Sequence, residues 1–426
     1  MSSLQVGGLR MRWGVLAAAA LVVHGCGGTS SSRVESVGTS DAGNPVSDAG
    51  APPAAADAGA PADAGTLPAP APDAGLPPDA GATAQCDGLV PVPGTPVEVT
   101  LPVEGGLCAA ARPGGPDGVV PLRHTDYDAS GRALTQWSFF AAKTGRAVAS
   151  WDADVDGPSD LWPQATGFVG VTFSENEAGD ALLRVARVGL DRATGPATEV
   201  PGNTAFAADP NGGFAAIHAG IEDGKLQVRY WRFDAAGVAT KTAVPIATAD
   251  AAGKPAPWAT IGVTAKDGHA LAIWGFTGAS SACQAAWVDA AGRVTATFQP
   301  PACRVSTLYP LTDGSLAVDT YNLEFVHSIA ASVQDQSTSW DPAPDWLSGD
   351  SLREFFLLPG LRGYALRQNG PGHDLDVVAP GGKLCGTVRT AELSHGPLRL
   401  GLDGTLVEQD FTGAGCTFRW YPGLFK

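Results

Sequence analysis

From residue 86 onward, short apolar runs alternate with polar turns, and the alternation recurs along the chain. The segments TGFVGVTF (166–173), GGFAAIHAG (212–220), DGHALAIWG (267–275), DGSLAVDT (313–320), RGYALRQ (362–368) and DGTLVEQD (403–410) each set a glycine just ahead of a short apolar run. Those glycines are Gly167, Gly213, Gly268, Gly314, Gly363 and Gly404, spaced 41 to 55 residues apart. A second mark falls between them. VARVGLDRATG (185–195), RYWRFDAAGVAT (229–240) and AAWVDAAGRVTATF (285–298) place an Asp and a Gly between two strand-like runs, and DLDVVAPGGKL (374–384) is a weaker version. YDASGRAL (127–134) has the same look near the N-terminal end. Runs this short, bounded by Asp and Gly, predict β-hairpins whose glycine takes the left-handed backbone region. Little of the chain carries a helical period.

The unit is therefore about four short strands, the pattern of a β-propeller blade. Six units are visible, and residues 118–166 supply a seventh. The last unit has room after Gly404 for only about two strands, so N-terminal strands are expected to complete it, because closure removes exposed sheet edges. The predicted fold class is all-β, a propeller of six to seven blades over residues 86–426. Tandem sandwiches would require a Pro- or Gly-rich linker mid-domain, and no convincing one is seen. Named propeller families fit poorly. Trp-Asp occurs at Trp151–Asp152 and Trp340–Asp341 only, which is no WD40 period, and the sialidase Asp box is absent.

The first 85 residues have a different composition. Residues 1–25 read as an export signal: Arg10 and Arg12, then WGVLAAAALVV (13–23), too short to span a bilayer. VVHGC follows. It resembles the lipobox of bacterial lipoproteins, with Val23 at −3, Gly25 at −1 and Cys26 next, and with His24 where a small residue is usual. The resemblance implies lipidation of Cys26 and an anchored, exported protein. Gly27 in place of Asp implies the outer membrane or cell surface. Residues 26–85 form a linker in which Asp-Ala-Gly recurs at Asp41, Asp48, Asp57, Asp63, Asp73 and Asp79 among Pro and Ala. Without aromatics it cannot bury enough apolar surface to offset its ordering entropy, so disorder is expected. As a coil it would average about 40–45 Å end to end.

Setting Cys26 aside leaves Cys86, Cys108, Cys283, Cys303, Cys385 and Cys416. An even number in an exported domain predicts disulfides, with 15 connectivities open. Sequence proximity favours 86–108, 283–303 and 385–416. No C-x-x-C spacing suggests a zinc or redox site. The net charge of −16 and the lack of a basic run exclude nucleic acid as an expected partner.

One stretch points to a metal. WDADVDGPSDLW (151–162) contains D-x-D-x-D-G-x-x-D-L and resembles the calcium loop of FG-GAP/VCBS-type propeller repeats. Alternating carboxylates converge on one point, Gly157 permits the sharp turn, and a carbonyl serves at Pro158. The resemblance implies one Ca2+ held by Asp152, Asp154, Asp156, Pro158 and Asp160, stiffening a blade. The other repeats lack the motif, and a hydrated Asp-rich turn stays open as the alternative. No catalytic residue is identified. SGDSL (348–352) matches the letters of an esterase block without its context, and the histidines of the domain are scattered singly. Glu175, Glu177 and Asp180 read as a solvated loop. Trp340 and Trp346, in SWDPAPDWLSGD (339–350), are a candidate platform for a glycan or protein ligand, against packing between blades. The functional expectation is a membrane-anchored binding or scaffolding module. The alternative is an extracellular polysaccharide hydrolase or lyase on the same scaffold, and an enzyme is not favoured.

Overall fold

The computed structural model describes residues 85–101, 107–114, 118–127, 133–153, 157–165, 167–278, 283–300, 303, 305–320, 327–330, 340–342, 346–347, 352–368, 374–390, 397–412 and 415–426. The first strand, β1 (Val97–Leu101), is followed by six blades of four consecutive strands. Blade 1 is β2–β5 (Leu107–Ala110, Val119–Tyr127, Ala133–Ala141, Ala147–Ala153), and blade 2 is β6–β9 (Asp160–Gln164, Gly167–Glu175, Ala181–Val188, Thr198–Pro201). Blade 3 is β10–β13 (Ala205–Ala208, Phe214–Glu222, Lys225–Phe233, Ala239–Asp250), and blade 4 is β14–β17 (Pro257–Val263, Ala270–Phe276, Cys283–Val288, Val294–Phe298). Blade 5 is β18–β21 (Val305–Pro310, Leu316–Thr320, His327–Ala330, Trp340–Pro342), and blade 6 is β22–β25 (Leu352–Leu357, Tyr364–Gln368, Leu375–Val378, Leu384–Val388). Blade 7 contains β26–β28 (Leu398–Leu400, Leu406–Thr412, Gly415–Tyr421), and β1 pairs antiparallel along β28 as its fourth strand. The count is seven blades, and one N-terminal strand closes the ring.

The apolar runs in the sequence are the second strands. β11 is buried along Phe214–Ala219 and β15 along Ala270–Gly275, because a middle strand is covered by a neighbouring blade on each face. Outer strands alternate, as β1 does, with every second residue exposed. Each seam between consecutive blades has its own apolar cluster. Trp137, Phe139 and Trp151 of blade 1 meet Leu161, Phe168 and Val188 of blade 2. At the closing seam Val407, Phe418 and Trp420 of blade 7 pack on Val120, Leu122 and Phe140 of blade 1. Full burial of such side chains contributes about 1.5–3 kcal/mol each before entropy is set against it.

Six turns share one geometry: 209–213, 234–238, 289–293, 311–315, 379–383 and 401–405. In each, the fourth residue is a glycine with positive φ, from 75° at Gly237 to 108° at Gly212. Its N–H donates to the carbonyl of the first residue, and the first N–H donates to the fifth carbonyl. Aspartate caps several from within: Asp234 Oδ1 accepts from the N–H groups of Ala236 and Val238, and Asp403 Oδ1 accepts from Thr405 N. Three of the glycine marks (209–213, 311–315 and 401–405) and three of the Asp–Gly marks (234–238, 289–293 and 379–383) are thus the same turn, used between first and second strands and between third and fourth strands. In an antiparallel blade those two connections emerge on the same rim, here called the regular rim. Second-to-third turns and blade-to-blade connections emerge on the opposite, irregular rim. YDASGRAL belongs to that opposite rim, and its residues 128–132 lie outside the described residues.

The disulfide expectation needs correction. Cys283–Cys303 forms as expected, but the other bridges are Cys86–Cys385 and Cys108–Cys416, with Cα separations of 5.2 and 6.2 Å. Ring closure is the reason. β1 runs along blade 7 from the regular rim to the irregular rim, so Cys86 and Cys108 are carried to opposite rims. Cys108 on β2 then faces Cys416 on β28 across the closing seam, and Cys86 meets Cys385 at the start of β25. The same seam is stitched by Gln409, whose Nε2 donates to the Cys108 carbonyl (2.9 Å) while its Oε1 accepts from Ala110 N (3.1 Å). Trp420 Nε1 donates to the Ala142 carbonyl at 2.7 Å.

Candidate functional site

The innermost strands lie beside the ring axis, and three of them carry a charged residue among apolar ones: Asp160 in DLWPQ, Glu354 in LREFFL and Arg399 in LRL. Flanking apolar side chains, Leu161 and Trp162, Phe355 and Phe356, Leu398 and Leu400, anchor each strand in the seams. Each charge is thereby held at a fixed place.

Asp160 Oδ1 accepts from Leu161 N and Oδ2 from Trp162 Nε1, both at 2.9 Å. Burial pushes its carboxyl above the ordinary range, and those two hydrogen bonds, then Arg123 and Arg399, pull it back in part. Burial lowers the Arg399 guanidinium from its usual value, opposed by Glu354 and Asp160. Arg399 Nη1 donates to the Leu398 carbonyl at 2.9 Å. Glu354 is fixed on both oxygens: Oε1 accepts from Leu398 N and Oε2 pairs with Arg367 Nε, each at 2.8 Å. Arg123, on β3, donates from Nη1 to the Ser159 carbonyl and lies over the Trp137 ring, 5.9 Å from its centroid. Among the described residues, no carboxylate oxygen lies within 4.0 Å of the Arg123 or Arg399 nitrogens. The charges influence one another, but these two guanidinium groups do not collapse onto an acid.

Glu408, on β27, sits in the seam between blades 6 and 7 and is 3% exposed. Burial pushes its carboxyl up to about 7, against Thr390, Arg419 and Arg367 beside it. A separate cleft of about 410 Å³ opens over blade 2, floored by Gly170, Ala186 and Val188, with Pro158, Asp191 and Arg192 at its edges. A Cβ on Gly170 would come within 2.6 Å of Val188 Cγ2, so the cleft depends on that glycine.

The residues singled out in the sequence are distributed as follows. Asp152 is exposed on β5 and accepts from Gln136 Nε2 at 3.0 Å. The Pro158 carbonyl accepts from Trp137 Nε1 at 3.0 Å, and Asp160 joins the axial set. Asp154 and Asp156 lie outside the described residues, as do Cys26 and Ser351. Among the described residues, no group of three His, Cys, Asp or Glu is arranged to hold a metal. Trp346 stacks on Tyr364, centroids 4.9 Å apart at 24°, in the seam of blades 5 and 6, while the Trp340 side chain lies outside the described residues. Glu175, Glu177 and Asp180 are exposed at the β7–β8 turn. Sequence reading missed Arg123, Glu354, Arg367, Arg399 and Glu408. The available signal was a charge inside an apolar strand, which demands a partner when buried.

No protein-family model matches the chain, and no curated protein matches it. Among solved structures, it is similar to the β-propeller domain of the Trilobed protease from Pyrococcus furiosus, with 9% identity and TM-score 0.43 over 74% of this chain and 93% of that one. It is similar to the Dos1 propeller, with 8% identity and TM-score 0.37 over 78% and 96% of the two chains. Chaetomium thermophilum Raptor matches at 12% identity and TM-score 0.37 over 76% of this chain, which spans 28% of the Raptor chain.

Proposed function

We propose that the protein is an exported binding module: a propeller tethered through lipid on Cys26 and a long polar linker, taking its ligand at the axial set and the irregular rim. The observation that carries this reading is the contrast between the rims. On one rim six turns share a single geometry, which serves closure and packing. The other carries connections of varied length and composition, and loops of that kind on a rigid scaffold carry recognition. Asp160 heads its inner strand at that rim. The pairing of all six remaining cysteines is compatible with export. A Ca2+ at residues 152–160 belongs to this reading as a stiffener of the connection between blades 1 and 2.

A hydrolase or lyase on this scaffold would need two carboxylates free to act on one substrate. Glu354 is committed to Arg367 and to the Leu398 N–H, and binding is therefore the reading adopted. The test is a glycan array probed with the full chain carrying Cys26→Ser, so that no lipid is attached. Selective retention by a glycan class supports the reading. No retention on glycans, together with no partner in crosslinking at the cell surface, removes it. Loss of fatty-acid labelling in Cys26→Ser tests the anchor separately.

A further inference from the structure

We infer that Cys86–Cys385 is a thiol-exchange site: an external dithiol opens this bridge ahead of the other two and releases residues 85–96 from the propeller while the ring stays closed. The inference goes beyond the binding-module reading and does not depend on what the module binds.

Each bridge has a different setting. Cys108–Cys416 lies in the closing seam among Val120, Leu122, Phe418 and Trp420, and Cys283–Cys303 lies among Leu271, Ile273, Trp287 and Leu316. All four of those cysteines are buried, at 7% exposure or less. Cys86 and Cys385 are only half-buried, and Gln85, Asp87, Gly88, Lys383 and Leu384 around them are exposed. The register of blade 6 gives the reason. Val377 pairs with Gly386 and Val378 with Leu384, so Cys385 is the extra residue of a β-bulge. The same bulge recurs on the outer strands of blades 1, 3 and 4, where the extra residues are Val148, Thr240 and Thr295. Val148 and Thr240 are exposed there. A bulge on an outer strand turns its extra residue away from the ladder, and in blade 6 that residue is a cysteine. An attacking thiolate must approach a sulfur directly, so it reaches this bridge before the two enclosed in apolar clusters.

The exchange needs nothing from the chain but the two sulfurs. A thiolate of the dithiol attacks one sulfur of the bridge, the S–S bond breaks, and the departing sulfur leaves with the electron pair and takes up a proton. The second thiol then resolves the mixed disulfide. The dithiol has given up two electrons and ends as its own disulfide, and Cys86 and Cys385 end as thiols. Little else then holds residues 85–96. They precede the first strand and pair with no sheet. Leu89 is buried in the seam of blades 6 and 7, Val90 lies over Gly386, and Val92 is 91% exposed. One buried leucine does not offset the ordering entropy of the whole segment, so opening the bridge frees it. Closure survives, because β1 still pairs with β28 from Val97 to Leu101 and Cys108–Cys416 stands at the end of that pairing. Opening therefore uncovers the apolar seat of Leu89 and lengthens the free N-terminal segment, without unlocking the ring.

The test is graded reduction of the full chain carrying Cys26→Ser with dithiothreitol, quenched with iodoacetamide and read by peptide mass spectrometry. Cys86 and Cys385 are expected to be alkylated together, at least about ten-fold faster than the other four cysteines. Chymotryptic cleavage after Leu89 should rise about ten-fold or more in the selectively reduced protein, and by as much in Cys86→Ser with Cys385→Ser. Near-ultraviolet circular dichroism and a cooperative melt should persist in both, since the ring stays closed. Removing the dithiol and adding oxidised glutathione should restore protection in the reduced protein and not in the double variant. The selectively reduced protein supplies the same readouts should the double variant fail to fold. Reduction of Cys108–Cys416 or Cys283–Cys303 at a matching rate, or no reduction of Cys86–Cys385 before the protein unfolds, would overturn the inference. So would unchanged cleavage after Leu89, a cooperative melt lost with this bridge alone open, or protection that oxidised glutathione does not restore. A glycan array without retained ligands bears on the binding module and leaves this inference standing.

Discussion

Glu408 makes the stability of the ring depend on pH, and Glu408→Gln should remove that dependence. The carboxyl is buried between blades 6 and 7, facing Thr390, Arg367 and Arg419, while Arg367 also serves Glu354 and Arg419 also serves Glu98. Its ordinary value is 4.5, and in the fold it is pushed up to about 7. The folded form therefore holds the proton more tightly than the unfolded form. Between these two values folding takes up a proton, and stability falls as pH rises through the window. Below about pH 4.5 the burial carries no charge penalty, and above about pH 7 the full penalty applies. Each pKa unit corresponds to about 1.4 kcal/mol, so the penalty approaches about 3 kcal/mol. Gln is isosteric and neutral at every pH. At pH 8 Glu408→Gln should be more stable than wild type by up to about 3 kcal/mol, and at pH 4.5 the two should nearly coincide. With an unfolding entropy of about 2.1 cal/mol/K per residue, a propeller of this size should gain roughly 4 °C in Tm at pH 8. Differential scanning calorimetry of both proteins across this range reads the difference directly, since every other titrating group cancels. A Tm difference that is constant with pH, or a wild type that gains on Glu408→Gln as pH rises, would refute the burial argument.

Other consequences follow from the closing seam, the turns and the Asp-rich connection. Gln409→Ala leaves the Ala110 N–H and the Cys108 carbonyl without their partner, and should cost about 1–3 kcal/mol in urea unfolding. Cys108→Ser with Cys416→Ser opens a cross-link spanning 308 residues, so chain entropy predicts a loss of up to roughly 5–6 kcal/mol, lessened because Cys86–Cys385 closes nearly the same loop. An equal denaturation midpoint with and without that bridge would contradict the role of the seam. Gly213→Ala places a Cβ at φ 80° and 2.3 Å from the Phe233 carbonyl oxygen, and should destabilise by more than about 1 kcal/mol. Calcium calorimetry of wild type against Asp154→Ala checks the loop at residues 152–160: heat lost in the variant supports a bound ion, and equal heats remove it.

The blade repeat was legible because burial on both faces leaves a direct mark. A strand such as FAAIHA has no solvent face to keep polar, and the left-handed glycine of each turn cannot be hidden by context. Ring closure was legible by counting, since two strands after Gly404 do not make a sheet. The disulfide pairing was not legible, because proximity in sequence predicts proximity in space only when the chain does not return to its start. The axial set was hidden for a related reason. Arg399 and Glu354 sit on neighbouring inner strands, but Arg123 and Asp160 come from the other end of the chain, and only closure brings them together. Asp160 was noticed for its acidic neighbours in sequence, whereas its partners in the fold are Trp162 and Leu161, with Arg123 and Arg399 within electrostatic reach.

Closure also explains why charge can be kept at the axis at all. Unpaired guanidinium groups repel and draw water, so they would loosen a sheet with a free edge. Here the seam nearest Arg399 has other restraints. The Cys108–Cys416 bridge, the two hydrogen bonds of Gln409 and the Trp420 contact tie blade 7 to blade 1, and the Cys86–Cys385 bridge ties the N-terminal segment to blade 6. Those covalent and polar restraints hold the inner strands in register whatever charge they carry. The regular rim contributes in the same way, by fixing strand spacing at the six turns that share one geometry. Inner-strand positions that would otherwise have to be apolar are thereby free to hold Asp160, Glu354 and Arg399. A ring held together at its seams and along one rim can thus keep charged side chains such as Asp160 and Arg399 on its inner strands, each opposed by the other.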